Sequence, residues 1–563
     1  MITVYIERGL RKYTRAVKYI LDYTFMTLGY EYRYISRLDQ LGVEDILFYY
    51  GLICPTLKEA YILALNRLLV FIPFEQKLYD FSVQQETLIS QDIRSVHQIP
   101  VLIGEEISEP VRFFRDDDLC YISFNFDLTG NLFYRISDNE GRRAQIKDEL
   151  GRISDKNYST LAERNLPYLN YLLIYLDSYL QKGIQDFGRQ VLVKKHYWPK
   201  SEAFAAAVSH NVDRLQKWNF LSLLKSCFQD LVIFYQLRFM IKNFLSKLRY
   251  LLTNEEQYWN FGIITELEKK YQISSTWFWS GLGNKGLVDY EITDEDCLAE
   301  LQLQQKSGRE IALLASADSA RNDNLKSQKH LLEKYFPDEY PGLRNIAHRI
   351  EPDLSNELYN KNGFLYYSGA TYVNHNGFKN GLGFPYYQYT EIPGKTSESD
   401  FVRKYCLDIP LAFSDEKLKL SRYRQLDYKW AKQLITDLID QAEKGSALLS
   451  LDFSVANFAD LEYDQELFSF TLQELRKRDV YIASLRELAL WWKIREAVVL
   501  KDKFEGIEVY FPYAVENFTL QIFGNYQQLE YREDKIRKFE NLLFFANVKA
   551  DSRFFIRIIK QHG

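Results

Sequence analysis

The spacing of apolar and polar residues divides the chain into three stretches. Near the start, Ile2-Thr-Val-Tyr-Ile6 reads as a strand, and Arg11–Leu28 has helical spacing with Val17, Ile20, Leu21, Phe25 and Leu28 on one face. Thr56–Leu69 reads as a second helix. Val101–Ile103, Val111–Phe114 and Cys120–Phe126 read as short strands, and Leu166–Lys182 as a further helix. These elements predict an α/β unit over residues 1–195. From Trp198 onward, short apolar runs alternate with helical stretches. Strand-like runs fall at Ala203–Val208, Ser275–Trp279, Glu310–Leu314, Phe364–Tyr367, Cys406–Leu411, Ala447–Leu451 and Val480–Ile482. Helical spacing falls at 219–250, Ile263–Tyr271, Leu325–Tyr335, Tyr428–Lys444, Leu461–Arg478 and Ser484–Leu500. The alternation predicts a barrel-like or doubly wound parallel sheet over 196–500. In the last stretch, Gly506–Phe511, Phe518–Phe523 and Phe554–Ile559 alternate apolar and polar residues, which predicts a small β-rich appendage over 501–563.

Composition narrows the function classes. A length of 563 residues calls for more than one domain. The net charge of −5 leaves no electrostatic footprint for nucleic acid. Five cysteines, widely spaced and without a CxxC pair, argue against a disulfide framework and for a reducing compartment. The first residues lack a signal-peptide pattern, and charges interrupt the longest apolar run, Leu221 to Leu251, so a membrane span is not expected. The expectation is a cytoplasmic protein. Aromatic residues reach 16%, which points first to aromatic-rich cores and second to sugar-stacking surfaces. The stripe Phe228, Leu231, Phe234, Tyr235, Phe239 and Phe244 reads as core, with an association surface for a second copy or a partner protein as the alternative. Gly281-Leu-Gly283 and Gly381-Leu-Gly383 match no phosphate loop, since no Lys-Ser/Thr follows either.

Chemistry concentrates at Phe204-Ala-Ala-Ala-Val-Ser-His-Asn-Val-Asp213, an apolar strand ending in His210, Asn211 and Asp213. A strand end is where α/β folds place their sites. The bland alternative is a turn capped by Asn211 and Asp213. The order of later segments adds weight. It runs from Lys270-Tyr-Gln-Ile-Ser-Ser-Thr-Trp-Phe-Trp279 through Glu310-Ile-Ala-Leu-Leu-Ala-Ser316 to Arg344-Asn-Ile-Ala-His-Arg-Ile350. Gly363-Phe-Leu-Tyr-Tyr-Ser368, Gly377-Phe-Lys-Asn-Gly381, Leu407-Asp-Ile-Pro-Leu-Ala-Phe-Ser-Asp415 and the Trp-Trp helix around Glu487 and Trp491 follow.

In this order the chain resembles the NodB-type polysaccharide deacetylases, in the large bacterial subgroup with its own amino-terminal domain. The segment Phe126-Asp-Leu…Phe133-Tyr-Arg-Ile-Ser137 is also similar to that subgroup. The resemblance implies a deformed (β/α) barrel that deacetylates carbohydrate, a hydrolase acting on an amide bond. It implies a divalent metal, usually zinc, held by one carboxylate and two imidazoles, a carboxylate base and a late histidine acid.

Carried over, Asp213 stands at a metal-ligand position, as a remnant. Asn211 stands at the base position, and an amide does not accept a proton near neutral pH. Leu314 stands where a ligating His is expected, and Tyr367 replaces an Asp. The strand Leu448–Val455 carries no following His, since none occurs between His375 and His562. Loss of a general acid or base costs about 10²–10⁴ in rate. The expectation is therefore a catalytically degenerate deacetylase-like protein with no metal cofactor, directed at an acetylated amino-sugar polymer or oligosaccharide. Two alternatives stay open. One is an active N-deacetylase in which Asp213 with His210 or His348 recruits zinc or another divalent metal. The other is an interaction protein retaining only the fold. Ser316, Arg344, His348, Tyr367, Asp415, Glu487 and Trp491 are the pocket candidates, with Asp452 beside them.

Overall fold

The structure is a computed structural model. It describes residues 1–42, 44–82, 86–93, 96–102, 109–148, 151–217, 237–253, 256–281, 287–316, 324–337, 341–348, 352–389, 405–421, 424–460, 463–503, 505–531 and 536–560. The first part of the predicted helix at 219–250 and of its aromatic stripe lies outside these residues; the rest forms the helix Leu237–Thr253.

The first unit is built on β1 (Ile2–Ile6), β2 (Tyr32–Ile35), β3 (Ile46–Gly51), β4 (Arg67–Pro73), β5 (Glu86–Ile93), β6 (Val96–Leu102), β7 (Val111–Arg115) and β8 (Leu119–Phe124). Six of them form a sheet in the order β2-β1-β3-β4-β8-β7, and β5 and β6 pair as a hairpin. The predicted helix Thr56–Leu69 is two elements. A capping box between Thr56 and Glu59 starts a helix over Leu57–Ala64, and the run Leu68–Ile72 continues as the buried parallel strand β4. An unbroken apolar run carries no period of its own, so the two elements merge in a reading by spacing.

The second unit is α/β with a curled parallel sheet. Its strands are β10 (Phe204–Val212), β11 (Ser275–Trp279), β12 (Glu310–Ala315), β13 (Gly342–Asn345), β14 (Tyr366–Tyr367), β15 (Leu407–Asp408), β16 (Phe413–Ser414), β19 (Leu448–Asp452) and β20 (Val480–Ile482). The order is β15-β14-β13-β12-β11-β10-β19-β16, with β20 beside the start of β10. The two edges of this sheet belong to one short segment. Leu407-Asp-Ile-Pro-Leu-Ala-Phe-Ser414 pairs with β14 at its start and with β19 at its end. Ile409 N donates to Tyr367 O and Ala412 N to Ser450 O, on opposite sides of Pro410. Pro410 has no N–H to donate, and it sits where the segment changes partners. This segment spans the two edges and curls the sheet into a barrel-like form.

The hairpin β17 (Lys419–Ser421) and β18 (Arg424–Gln425) follows β16. The tail has β21 (Val499–Lys503), β22 (Gly506–Phe511), β23 (Val515–Gly524), β24 (Tyr526–Glu530), β25 (Ile536–Phe539), β26 (Leu542–Val548) and β27 (Ser552–Lys560). They form two four-stranded sheets, and the second includes β9 (Val191–Lys195) from the end of the first unit. Phe511 on one sheet packs against Phe518 and Phe545 on the other, at 5.1 and 5.3 Å between ring centroids, which marks a sandwich core.

Arg495, fully buried on the helix Leu485–Ala497, joins all three regions. Its guanidinium donates to Met26 O and Thr27 O of the first unit and to Lys195 O and His196 O beside the tail, at 2.6–3.1 Å. Gly29 ends the helix Thr14–Leu28 in the left-handed region (φ +81°), and a Cβ there would lie 2.3 Å from Lys195 O and 2.6 Å from Arg495. No helix among the described residues is long and apolar enough to cross a membrane. Arg495→Met removes the guanidinium from four carbonyls, and the expected loss of stability is about 3 kcal/mol, measured as a lowered urea midpoint.

Candidate functional site

Alternation along β10 sorts the strand-end cluster onto two faces. Ser209, Asn211 and Asp213 face the barrel lumen, and His210 faces the helix layer. His210 is fully buried there against Trp277 and Phe468. Its Nδ1 lies 2.8 Å from Phe453 O and its Nε2 3.0 Å from Glu268 Oε1. Both ring nitrogens thus face oxygen atoms of neighbouring groups. Burial alone would raise the Glu268 carboxyl, but the hydrogen bond and charge of His210 and the charge of Arg309 hold it below the usual carboxylate range. His210 is therefore a structural ion-pair residue, remote from the lumen chemistry expected of it.

In the lumen, Arg344 of β13 is fully buried and surrounded by oxygen atoms. Its Nη1 donates to Asp452 Oδ1 (2.5 Å) and Asn211 Oδ1 (3.0 Å), and its Nη2 to Ser209 Oγ (3.0 Å) and Ser368 Oγ (3.2 Å). Nε donates to Ser368 O (2.7 Å), and the plane lies 4.1 Å from the Phe278 ring centroid. Asn211 uses both ends of its amide. It accepts from Arg344 while its Nδ2 donates to Asp452 Oδ2 at 2.8 Å. Leu314 pairs in register with Arg344 and is a buried lumen side chain.

The carboxyl ends of the strands form the mouth above this network. Asp213 accepts from Ser454 Oγ at 3.3 Å, and burial raises its carboxyl to about 6, with Glu416 adding to the rise and Arg214 opposing it. Asp415 accepts from Ser454 N (2.9 Å) and Asn457 Nδ2 (2.7 Å). Burial and the neighbouring Asp464 raise the Asp415 carboxyl well above its usual range, and burial brings Asp464 up to about 7.

His348 follows β13 in a turn where Ala347 and His348 both have positive φ (+54° and +52°). Its Nδ1 is buried without a partner among the described residues. Burial and the charges of Lys417, Arg344 and Arg152 hold its ring neutral. Lys417 Nζ donates to Thr371 Oγ1 at 2.5 Å. Burial pushes Lys417 down to about 7, with Asp155 and Asp452 opposing and Arg152 and Arg344 reinforcing.

The first unit completes the mouth. Arg152 donates to Ala347 O (3.1 Å) and pairs with Asp148 (2.7 Å). Asp155 accepts from Val373 N (2.6 Å) and Asn374 N (2.8 Å) and lies 2.7 Å from His375 Nδ1.

Asn211, Arg344 and Asp452 thus meet directly, and Asp213 and Asp415 share Ser454. The remaining candidates stand elsewhere. Ser316 is tied to Gln328 at 2.9 Å by both its N and its Oγ. Tyr367 faces the helix layer, stacked on Tyr359 at 5.1 Å, because Tyr366 takes the lumen side and donates to Glu310. Glu487 closes a capping box with Ser484. Trp491 is buried between Tyr481 and Phe518 and donates to Tyr197 O. Lys417, Arg152, Asp155 and Thr371 carry no motif of their own, and the polar stretch 137–165 gives no sign in sequence of reaching a site 200 residues away.

The donor set does not fit the implied metal. Leu314 offers no ligand, His210 lies on the opposite face, and the amide of Asn211 is held by Arg344 and Asp452. Among the described residues, no three His, Cys, Asp or Glu side chains are grouped to hold an ion.

No protein-family model matches the chain, and no curated protein sequence matches it. Among solved structures, the chain is similar to a Mycobacterium smegmatis protein provisionally described as a polysaccharide deacetylase. That likeness has 15% identity over 55% of this chain and 97% of the other, with a TM-score of 0.37. A second likeness, to a GH138 enzyme targeting pectin rhamnogalacturonan II, has 9% identity and a TM-score of 0.24. It covers 84% of this chain and half of that enzyme.

Two outcomes are expected from this network. Arg344→Met leaves Asp452 buried and unpaired and should cost about 3–5 kcal/mol in chemical denaturation, most of it recovered in Arg344→Met/Asp452→Leu. The raised Asp415 and Asp464 carboxyls favour folding while protonated, so their contribution is full below about pH 4 and falls as pH rises through about 7. Asp464→Asn should flatten the pH dependence of the melting temperature between pH 5 and 8, relative to the parent, by roughly the effect of one titrating group.

Proposed function

We propose that this protein is a non-hydrolytic relative of the NodB-type polysaccharide deacetylases whose barrel mouth binds a glycan in bacterial surface-polysaccharide metabolism. The observation that carries the reading is the amide of Asn211, bonded at one end to Arg344 and at the other to Asp452. Deacetylation of an acetamide needs a group that takes a proton from water. The resemblance puts that group at position 211, where an amide stands. A carboxylate there would face Asp452 at 2.8 Å, and two carboxylates at that distance share one proton.

Further support comes from the neighbours. Leu314 adds no ligand, and β19 ends in Asp452-Phe-Ser454 without a histidine acid. Glycan binding draws on the polar rim of the mouth, where Asp213, Thr371, His375 and Lys417 offer donors and acceptors suited to sugar hydroxyls. The cytoplasm is the compartment that fits the spacing of the cysteines.

The test combines metal analysis, acetate release and binding on the full chain. Purified protein should carry no stoichiometric divalent ion. It should release no acetate from chito-oligosaccharide, and neither should Asn211→Asp/Leu314→His. Calorimetry should still detect saturable binding of the same sugar. A stoichiometric ion together with acetate release by the parent protein would sink the proposal. Absence of any glycan binding would leave only a scaffold.

A further inference from the structure

One cation at the mouth has no carboxylate bonded to it among the described residues. Four basic side chains converge there: Arg344, Arg152, Lys417 and His348. Arg344 is answered by Asp452, and Arg152 by Asp148 and Ala347 O. Lys417 is not answered in this way. An ammonium has three N–H donors, and among the described residues Lys417 bonds only Thr371. The two nearby carboxylates are committed elsewhere. Asp155 receives two backbone N–H groups and His375, and Asp452 receives Arg344, Asn211 and Ser209. His348 adds a buried Nδ1 with no partner, in a turn of two successive left-handed residues that Arg152 holds through Ala347 O. Such backbone is strained and gathers at ligand sites.

We propose that the barrel mouth takes an acidic glycan, with the sugar's carboxylate received by Lys417, His348 and Arg152. The inference rests on the reading of the mouth as a glycan site and names the class of sugar. A carboxylate gives Lys417 its missing counter-charge and offers acceptors to its two unused N–H groups. Binding also takes up protons. In the free protein Lys417 is held down near 7 by burial, with Arg152 and Arg344 reinforcing and Asp155 and Asp452 opposing, while His348 is neutral beside it. A bound anion favours the charged ammonium of Lys417, so affinity is highest below about pH 7 and falls by about tenfold per pH unit above it.

The experiment is calorimetry on the full chain with three probes: hyaluronan tetrasaccharide, which alternates uronate with acetylated amino sugar, uncharged chitotetraose, and inorganic phosphate. At pH 6.5 the hyaluronan tetrasaccharide should bind at least tenfold more tightly than chitotetraose. That preference should vanish in Lys417→Met and, in the unmodified protein, at pH 9. The pH 9 arm keeps the test decisive if Lys417→Met does not fold. Equal binding of both sugars overturns the acidic-sugar inference and leaves the glycan reading standing. Binding of phosphate alone, dependent on Lys417, overturns the sugar and leaves a simple anion seat. No binding of any probe overturns the inference together with the glycan reading.

Discussion

One buried guanidinium organises the barrel. Arg344 reaches from β13 to Ser209 and Asn211 on β10, to Ser368 after β14 and to Asp452 on β19. Each contact is a hydrogen bond from a charged donor in a dry interior, where such bonds are strongest and unanswered groups cost most. The ring of acceptors fixes how far the staves stand apart, and so where their carboxyl ends meet. The mouth inherits its geometry from this layer. A buried ion pair is weak evidence of net stability against an apolar core of equal volume. Its contribution here is positional, since four strands are held to one planar fork.

The same layer makes the lumen residues interdependent. Asn211 offers Arg344 an oxygen and Asp452 an N–H, a combination that no carboxylate provides. With the amide in place, Asp452 meets the guanidinium at one oxygen and an amide N–H at the other. Leu314 lies in register beside Arg344, where an imidazole would stand next to the guanidinium. Changing one position therefore disturbs its neighbours. The residues at positions 211 and 314 are coupled through Arg344.

Local pattern revealed much of the fold and part of the site. The alternation of apolar runs and helical stretches anticipated the parallel sheet, and period-2 alternation put Asn211 and Asp213 on one face. The same rule puts His210 and Tyr367 on the other face, although a motif read as a string groups them with the site. Glu487 and Trp491 had equally strong local roles, as a cap and as core, which a resemblance does not weigh. The strands β13 and β16 were not legible as strands, because each is short and defined by its partners. Lys417 and Arg152 were invisible for a different reason. Their significance is the burial of a charge and the meeting of two distant segments, and neither leaves a local signature.

The last constraint is the join between the units. Arg495 binds carbonyls from residues 26–27 and 195–196, so the helix that follows β20 reads the position of the first unit directly. On the other side, Asp155 holds the loop at 373–375 and Arg152 holds the turn at 347. The first unit is thus fixed to the barrel both near its helix layer and at its mouth. Two attachments far apart in sequence resist hinge motion better than one, since a hinge that opens the mouth must also break buried bonds at Arg495. Through them the amino-terminal unit supplies part of the wall around Lys417, and the barrel without it would have an incomplete mouth.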